Sequence, residues 1–193
     1  TRKESSAASD VYKRQGYLFV FVMDYHRHDL INEQVQGDMQ SSFESAEGLL
    51  VGTIDVALLA QNMAVAAESL DLGIVYLGSL RNNVARVKEL LNLPKYTFPL
   101  FGMAVGVPAD NEQGSPKPRL PFEAVFHENQ YNQDKSSKVD ALKEYDQVVS
   151  DYYSKRTDGK RTETWSQQVA NFLEMKQRTD MLDELHDSGF VQK

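Results

Sequence analysis

Three short stretches of this sequence combine residue types that could do chemistry. Tyr76-Leu77-Gly78-Ser79 ends an apolar run that begins at Gly73 and gives way to Leu80-Arg81-Asn82-Asn83. A strand passing into a helix there would aim backbone N–H groups beyond the strand end, where an anion or a polar ring edge could dock. Gly78 has no Cβ, so a planar ring could lie against its backbone. From the residues alone, an ordinary strand-to-helix turn with Ser79 as a cap is the simpler reading. Lys117-Pro118-Arg119 lies between Pro116 and Pro121. The prolines hold the backbone extended, and two cations then project at low entropic cost, a clamp suited to phosphate. On its own, the motif reads more simply as a solvated basic loop. Lys155-Arg156-Thr157-Asp158-Gly159-Lys160-Arg161 places four cations and one anion in seven residues of a chain whose net charge is −7. Cations at a helix C-terminus complement the macrodipole, but Thr157 and Gly159 suggest a mobile loop whose spare charge could catch a phosphorylated ligand.

The histidines carry less. His26 and His28 lie two apart on an expected loop or strand end, and nothing at sensible spacing completes a metal site, so a solvated or hydrogen-bonded role is expected. His127 falls in a loop-like stretch and His186 on a terminal helix. There is no Gly-x-Ser-x-Gly elbow and no Walker loop, which leaves hydrolase and kinase readings without support. No metal ligand and no acid–base or nucleophilic catalytic residue is expected.

The 193 residues are 41% hydrophobic and 25% charged, as suits one domain with a sizeable core. The acidic balance argues against a nucleic-acid partner. With no cysteine, disulfides, thiolate nucleophiles and thiolate-bound zinc are excluded, and the composition fits a reducing cytosol. Leu49 to Ala67 is the longest apolar run, but Asp55, Gln61 and Asn62 interrupt it, so no membrane span is expected.

The elements that must position the three stretches follow from periodicity. Tyr17 to Met23 reads as a strand buried on both faces. Ser41 to Leu70 reads as one long helix, apolar on nearly all sides, that belongs in a core or a subunit interface; Gly48, Gly52 and several alanines would allow another backbone to approach. Asn82 to Leu91 predicts an amphipathic helix, with Val84, Val87, Leu90 and Leu91 on one face, and Pro99 to Val107 a second buried strand. Residues 108–134 read as loop. Val139 to Tyr153, Ser166 to Lys176 and Asp180 to Ser188 predict three more helices, the last capped by Thr179 and stopped by Gly189. Helices around a few buried strands make an α+β arrangement.

Gly73–Asn83, Leu93-Pro94, Pro99–Gly106, Lys117-Pro118-Arg119, Arg156, Arg161 and Thr164-Trp165-Ser166 together closely resemble the FMN-dependent, oxygen-insensitive NADPH nitroreductase and NADPH–flavin oxidoreductase family. The resemblance starts at Gly16 and continues to the C-terminus. Residues 1–15 match nothing in it and are expected to be a disordered or non-native leader, with 16–193 a nitroreductase domain lacking its N-terminal part. The resemblance implies a small central sheet flanked by helices, a long buried core helix and a helical C-terminal extension. It implies FMN and NADPH as cofactors. Tyr76, Leu77, Gly78 and Ser79 would lie at the flavin ring, with a backbone hydrogen bond towards N5. Lys117 and Arg119 would bind the FMN phosphate, and Arg156 and Arg161 the 2′-phosphate of NADPH. It further implies a cytoplasmic homodimer with FMN at the interface, passing electrons by ping-pong to nitroaromatics, free flavins or quinones. The family's N-terminal His-x-Ser-x-Arg-x-Phe-like pattern and a flavin-contacting glutamine are absent. Two other readings therefore stand beside the enzyme: a folded, flavin-free remnant, and a dimerising module that binds a phosphorylated small molecule.

Overall fold

A computed structural model describes residues 16–108, 116–175 and 178–192. The expected leader lies outside the described residues, as do Ser115 and Lys176. The chain divides into two compact units, residues 1–112 with 178–193, and residues 113–177.

The first unit is built on a three-stranded antiparallel sheet, ordered β1-β3-β2, from β1 (Tyr17–Asp24), β2 (Gly73–Leu77) and β3 (Thr97–Gly106). Central β3 is buried along almost its whole length. β1 departs from the expectation of a strand buried on both faces: Tyr17 is 75% and Leu18 50% exposed, and burial begins only at Phe21. The register shifts where Phe21 pairs with Phe101 and Val22 with Pro99. Proline has no N–H to give to a ladder, so the skip falls beside Pro99.

The helix expected from Ser41 to Leu70 is interrupted. α2 (Gln40–Phe43) stops, Ser45 turns extended, and its side chain accepts from the Gly48 N–H at 3.0 Å to cap α3 (Ala46–Glu68). The joint needs glycine, because a Cβ at Gly48 would stand 2.7 Å from the Ser42 carbonyl oxygen and 2.9 Å from the Phe43 backbone. α3 buries the small-residue stripe Gly48, Gly52, Ala60, Ala64 and Ala67, with Phe21, Met103 and Val105 packed against its C-terminal half. Its burial is one-sided: Leu50, Ile54 and Leu58 on the other side are each more than half exposed. By length and composition α3 could also cross a bilayer.

A polar helix, α1 (His26–Val35), follows β1 where a loop was expected, so His26 and His28 occupy a first helical turn. α4 (Val84–Leu91) begins after Asn83, whose side chain caps it by accepting from the Arg86 N–H at 2.9 Å. Of its expected inner face only Val84 is buried, and Leu90 and Leu91 face out. The last helix of this unit is α8 (Met181–Asp187). Thr179 does not cap it: Asp180 holds the N-cap position and makes no side-chain bond there. Gly189 ends it as expected, at φ +93°, which a side chain would strain.

The second unit holds α5 (Phe122–Val125), α6 (Lys135–Arg156) and α7 (Trp165–Glu174). α6 starts four residues before the expected Val139 because Asp134 caps it, accepting from the Ser136 N–H at 3.0 Å and hydroxyl at 2.7 Å. Those bonds hold the Asp134 carboxyl below the usual carboxylate range. α7 opens on a capping box between Thr164 and Gln167.

Candidate functional site

The Tyr76–Ser79 turn forms where β2 ends. Leu77, its last strand residue, is buried, and the chain passes into a 3₁₀ turn, Gly78–Asn82, before α4. Ser79 caps nothing; the capping role falls to Asn83. The first N–H groups of such a turn have no partner within it. Tyr76 is 42% exposed, with its ring edge-on to Phe101 at 5.8 Å. Among the described residues, a Cβ on Gly78 would meet only the Arg81 guanidinium, at 3.5 Å, which leaves room beside this backbone.

Two arginines hold the turn. Arg81 donates to the carbonyl of Leu100, the residue that the β1–β3 register skips. Arg178 donates through Nη2 to the Gly78 carbonyl at 3.1 Å and through Nε to Asn82 Oδ1 at 3.0 Å. Burial, and secondly the Arg178 charge, push the Arg81 pKa down. No acid faces either guanidinium within salt-bridge distance among the described residues. The sequence gives no local sign of Arg178, which reaches the turn from about a hundred residues away.

In the second unit, Lys117 and Arg119 lie on the extended, proline-bearing stretch before α5 and are both exposed. Buried Tyr145 of α6 donates its hydroxyl to the Pro118 carbonyl at 3.0 Å, which ties the stretch between the two cations to the helix. Neither cation is paired with a carboxylate among the described residues. A stiff segment that presents two cations without an internal anion fits a phosphate.

The 155–161 loop is not the loose segment that its composition suggests. Gly159 N–H donates to the Ser154 carbonyl at 2.8 Å, and Ser150 Oγ to the Thr162 carbonyl at 2.7 Å. Thr157 Oγ1 donates to the Tyr153 carbonyl at 2.7 Å and accepts from the Arg161 N–H at 2.9 Å. Lys155 and Arg156 close the last turn of α6, as the macrodipole favours. Arg156 Nη1 donates to Tyr152 Oη at 2.7 Å. Arg161 pairs with Glu163 at 2.8 Å, and its Cζ lies 3.9 Å from the Tyr153 ring centroid. Lys117 Nζ lies 5.7 Å from the same centroid. Lys117, expected at the flavin phosphate, and Arg161, expected at the NADPH phosphate, thus meet around one aromatic ring.

A separate cavity of about 310 Å³ in the first unit is lined by Asp24, Tyr25, Arg27, His28 and Asp55 among others, and by none of the expected site residues. The Tyr25 hydroxyl donates to the Gly48 carbonyl at 2.9 Å; burial first, then Asp55 and Glu47, raise its pKa.

Comparison with known proteins divides the chain near the same place, although residues 178–193, part of the first unit, fall to the second family model. The nitroreductase family model matches residues 10–107, and the model of that family's C-terminal domain matches residues 117–193. An NADPH-dependent oxidoreductase of Staphylococcus saprophyticus subsp. saprophyticus is 68% identical over 178 residues, which cover 92% of this chain and 71% of that protein. Among solved structures, NfrA1 of B. megaterium superposes with a TM-score of 0.89 at 44% identity, covering 92% of this chain and 71% of the other. The NADPH:FMN oxidoreductase from Vibrio harveyi, complexed with NAD+, superposes at 0.75 and 40%, covering 91% and 68%. On this evidence the chain belongs to the nitroreductase family.

Proposed function

We propose that this nitroreductase-family oxidoreductase works with FMN and NADPH, passing reducing equivalents to nitroaromatics, free flavins or quinones by ping-pong in the reducing cytosol. FMN supplies the hydride chemistry when bound. The protein's own residues bind and orient. Lys117 and Arg119 take the flavin phosphate. Tyr76, Leu77, Gly78 and Ser79 take the ring edge, with Gly78 as the donor and Arg81 and Arg178 as the groups that hold the turn. Arg156 and Arg161 take the 2′-phosphate that distinguishes NADPH from NADH. No side chain need act as a strong acid or base.

The observation that carries this reading is the Lys117–Arg119 segment, stiffened by proline, tied down by Tyr145 and without an internal anion. The names of the relatives, NADPH-dependent oxidoreductase and NADPH:FMN oxidoreductase, support the cofactor assignment. The exposed apolar side of α3 supports a homodimer.

The test is a visible spectrum of the purified chain after incubation with FMN and desalting, followed by NADPH. Retained yellow colour that bleaches on NADPH addition is the expected result. Colour that washes out at every FMN concentration overturns the flavoenzyme reading for this chain.

A further inference from the structure

The inference rests on the assignment of the 155–161 loop to NADPH and asks what makes its two arginines selective. α6 ends with Tyr152 and Tyr153, whose rings meet edge to face with centroids 5.2 Å apart. Each ring is engaged with one arginine. Tyr152 Oη accepts from Arg156 Nη1 at 2.7 Å, and the Arg156 Cζ is 5.9 Å from that ring's centroid. Arg161 stacks over Tyr153 at 3.9 Å while Glu163 takes its Nε. The Tyr153 carbonyl also holds Thr157 Oγ1, which in turn holds the Arg161 N–H. Ring, loop backbone and guanidinium are therefore fixed to the same helical turn.

Free arginine side chains lose much rotamer freedom when they grip a phosphate, and prior ordering removes that cost. The π face of Tyr153 also offsets the repulsion between Arg161 and Lys117, both of which lie near it. We propose that Tyr152 and Tyr153 are positioning residues that set the preference for NADPH over NADH, by holding Arg156 and Arg161 ready for the 2′-phosphate.

Calorimetric titration of the flavin-free chain with 2′,5′-ADP and with 5′-AMP tests this without any flavin chemistry. Tyr153→Leu weakens 2′,5′-ADP about fivefold, the size of one cation–π contact, and Tyr153→Phe retains it. Tyr152→Phe, which keeps the ring and is the milder change for folding, weakens it about three- to tenfold through the lost hydrogen bond. Binding of 5′-AMP stays unchanged in all three. In the flavin-loaded enzyme the same variants raise KM for NADPH and leave kcat and KM for NADH alone. Wild-type affinity for 2′,5′-ADP in both Tyr153→Leu and Tyr152→Phe overturns the proposal, as do equal losses for the two nucleotides. A wild-type chain that binds both nucleotides alike overturns the loop assignment itself, and the two failures are thereby told apart.

Discussion

At the scale of single residues, the proposed site rests on a few cations of an acidic chain. Arg156 and the Lys117–Arg119 pair have no carboxylate within salt-bridge distance among the described residues, whereas Arg161 is paired with Glu163. Arg156→Ala should therefore raise KM for NADPH by about tenfold or more, the worth of one charge-assisted contact, and leave NADH within about twofold. Steady-state kinetics with both nucleotides decide it, and equal losses would sink the assignment of the loop. The sequence singles out these side chains as candidates because each sits in a compact local motif. It does not single out Arg178. Its partners, Gly78 and Asn82, lie about a hundred residues earlier, and no periodicity or spacing encodes a bond of that range. Tyr152 and Tyr153 were legible only as the end of a helix, since the contact of Tyr153 with Arg161 forms once the following loop folds back.

Among the elements, side-chain caps set the starts of α3, α4, α6 and α7 and explain several differences between expectation and structure. Ser45 splits the long helix because its side chain offers the Gly48 N–H a better partner than a continued helix would. Apolar content alone could not reveal that, since the apolar run begins only at Leu49, past the break. β1 was expected to be buried on both faces because its composition is that of an inner strand, but with β3 on one side and no strand on the other among the described residues it forms the sheet edge. Two predictions belong here. Gly48→Ala gains about 1 kcal/mol of helix propensity but sets a Cβ against backbone that cannot yield, a clash typically costing about 1–3 kcal/mol, so the net effect should be a loss of stability. Urea unfolding checks it, and a variant as stable as the wild type would mean that the α2–α3 joint is softer than its geometry implies. The second concerns Tyr25 at the same joint. Its raised pKa, caused first by burial and then by Asp55 and Glu47, means that the folded state favours the neutral phenol. That stabilising contribution is complete below the ordinary phenol value near 10 and is lost as pH rises through the raised one. Unfolding midpoints measured from pH 8 to 11.5 should fall more steeply in the wild type than in Tyr25→Phe, and parallel curves would remove Tyr25 from the alkaline transition.

For the whole molecule, the open question is what covers the outer side of α3. Leu50, Ile54 and Leu58 repeat at helical spacing and are each more than half exposed, with Leu59, Val51 and Val65 exposed beside them. A bilayer would accept these leucines but not Asp55, Gln61 and Asn62 on the same helix, each costly in hydrocarbon. The opposite stripe of glycine and alanine is committed to the protein's own core. A second copy of the chain is the better cover, because polar groups at a protein interface can remain partly wet. Six side chains from two copies, each gaining about 1 kcal/mol on burial, reach only the low end of the 4–15 kcal/mol that association costs. The neighbouring Leu59, Val51 and Val65 must then join the contact for the dimer to be stable. Light scattering behind a sizing column should give a mass near twice 21.9 kDa at about 50 µM. Leu58→Asp should return it to the monomer mass, since a carboxylate buried without a partner costs more than the leucine gained. An unchanged mass in Leu58→Asp would move the interface elsewhere on the surface, and a monomeric wild type across the concentration range would leave α3 uncovered in this chain.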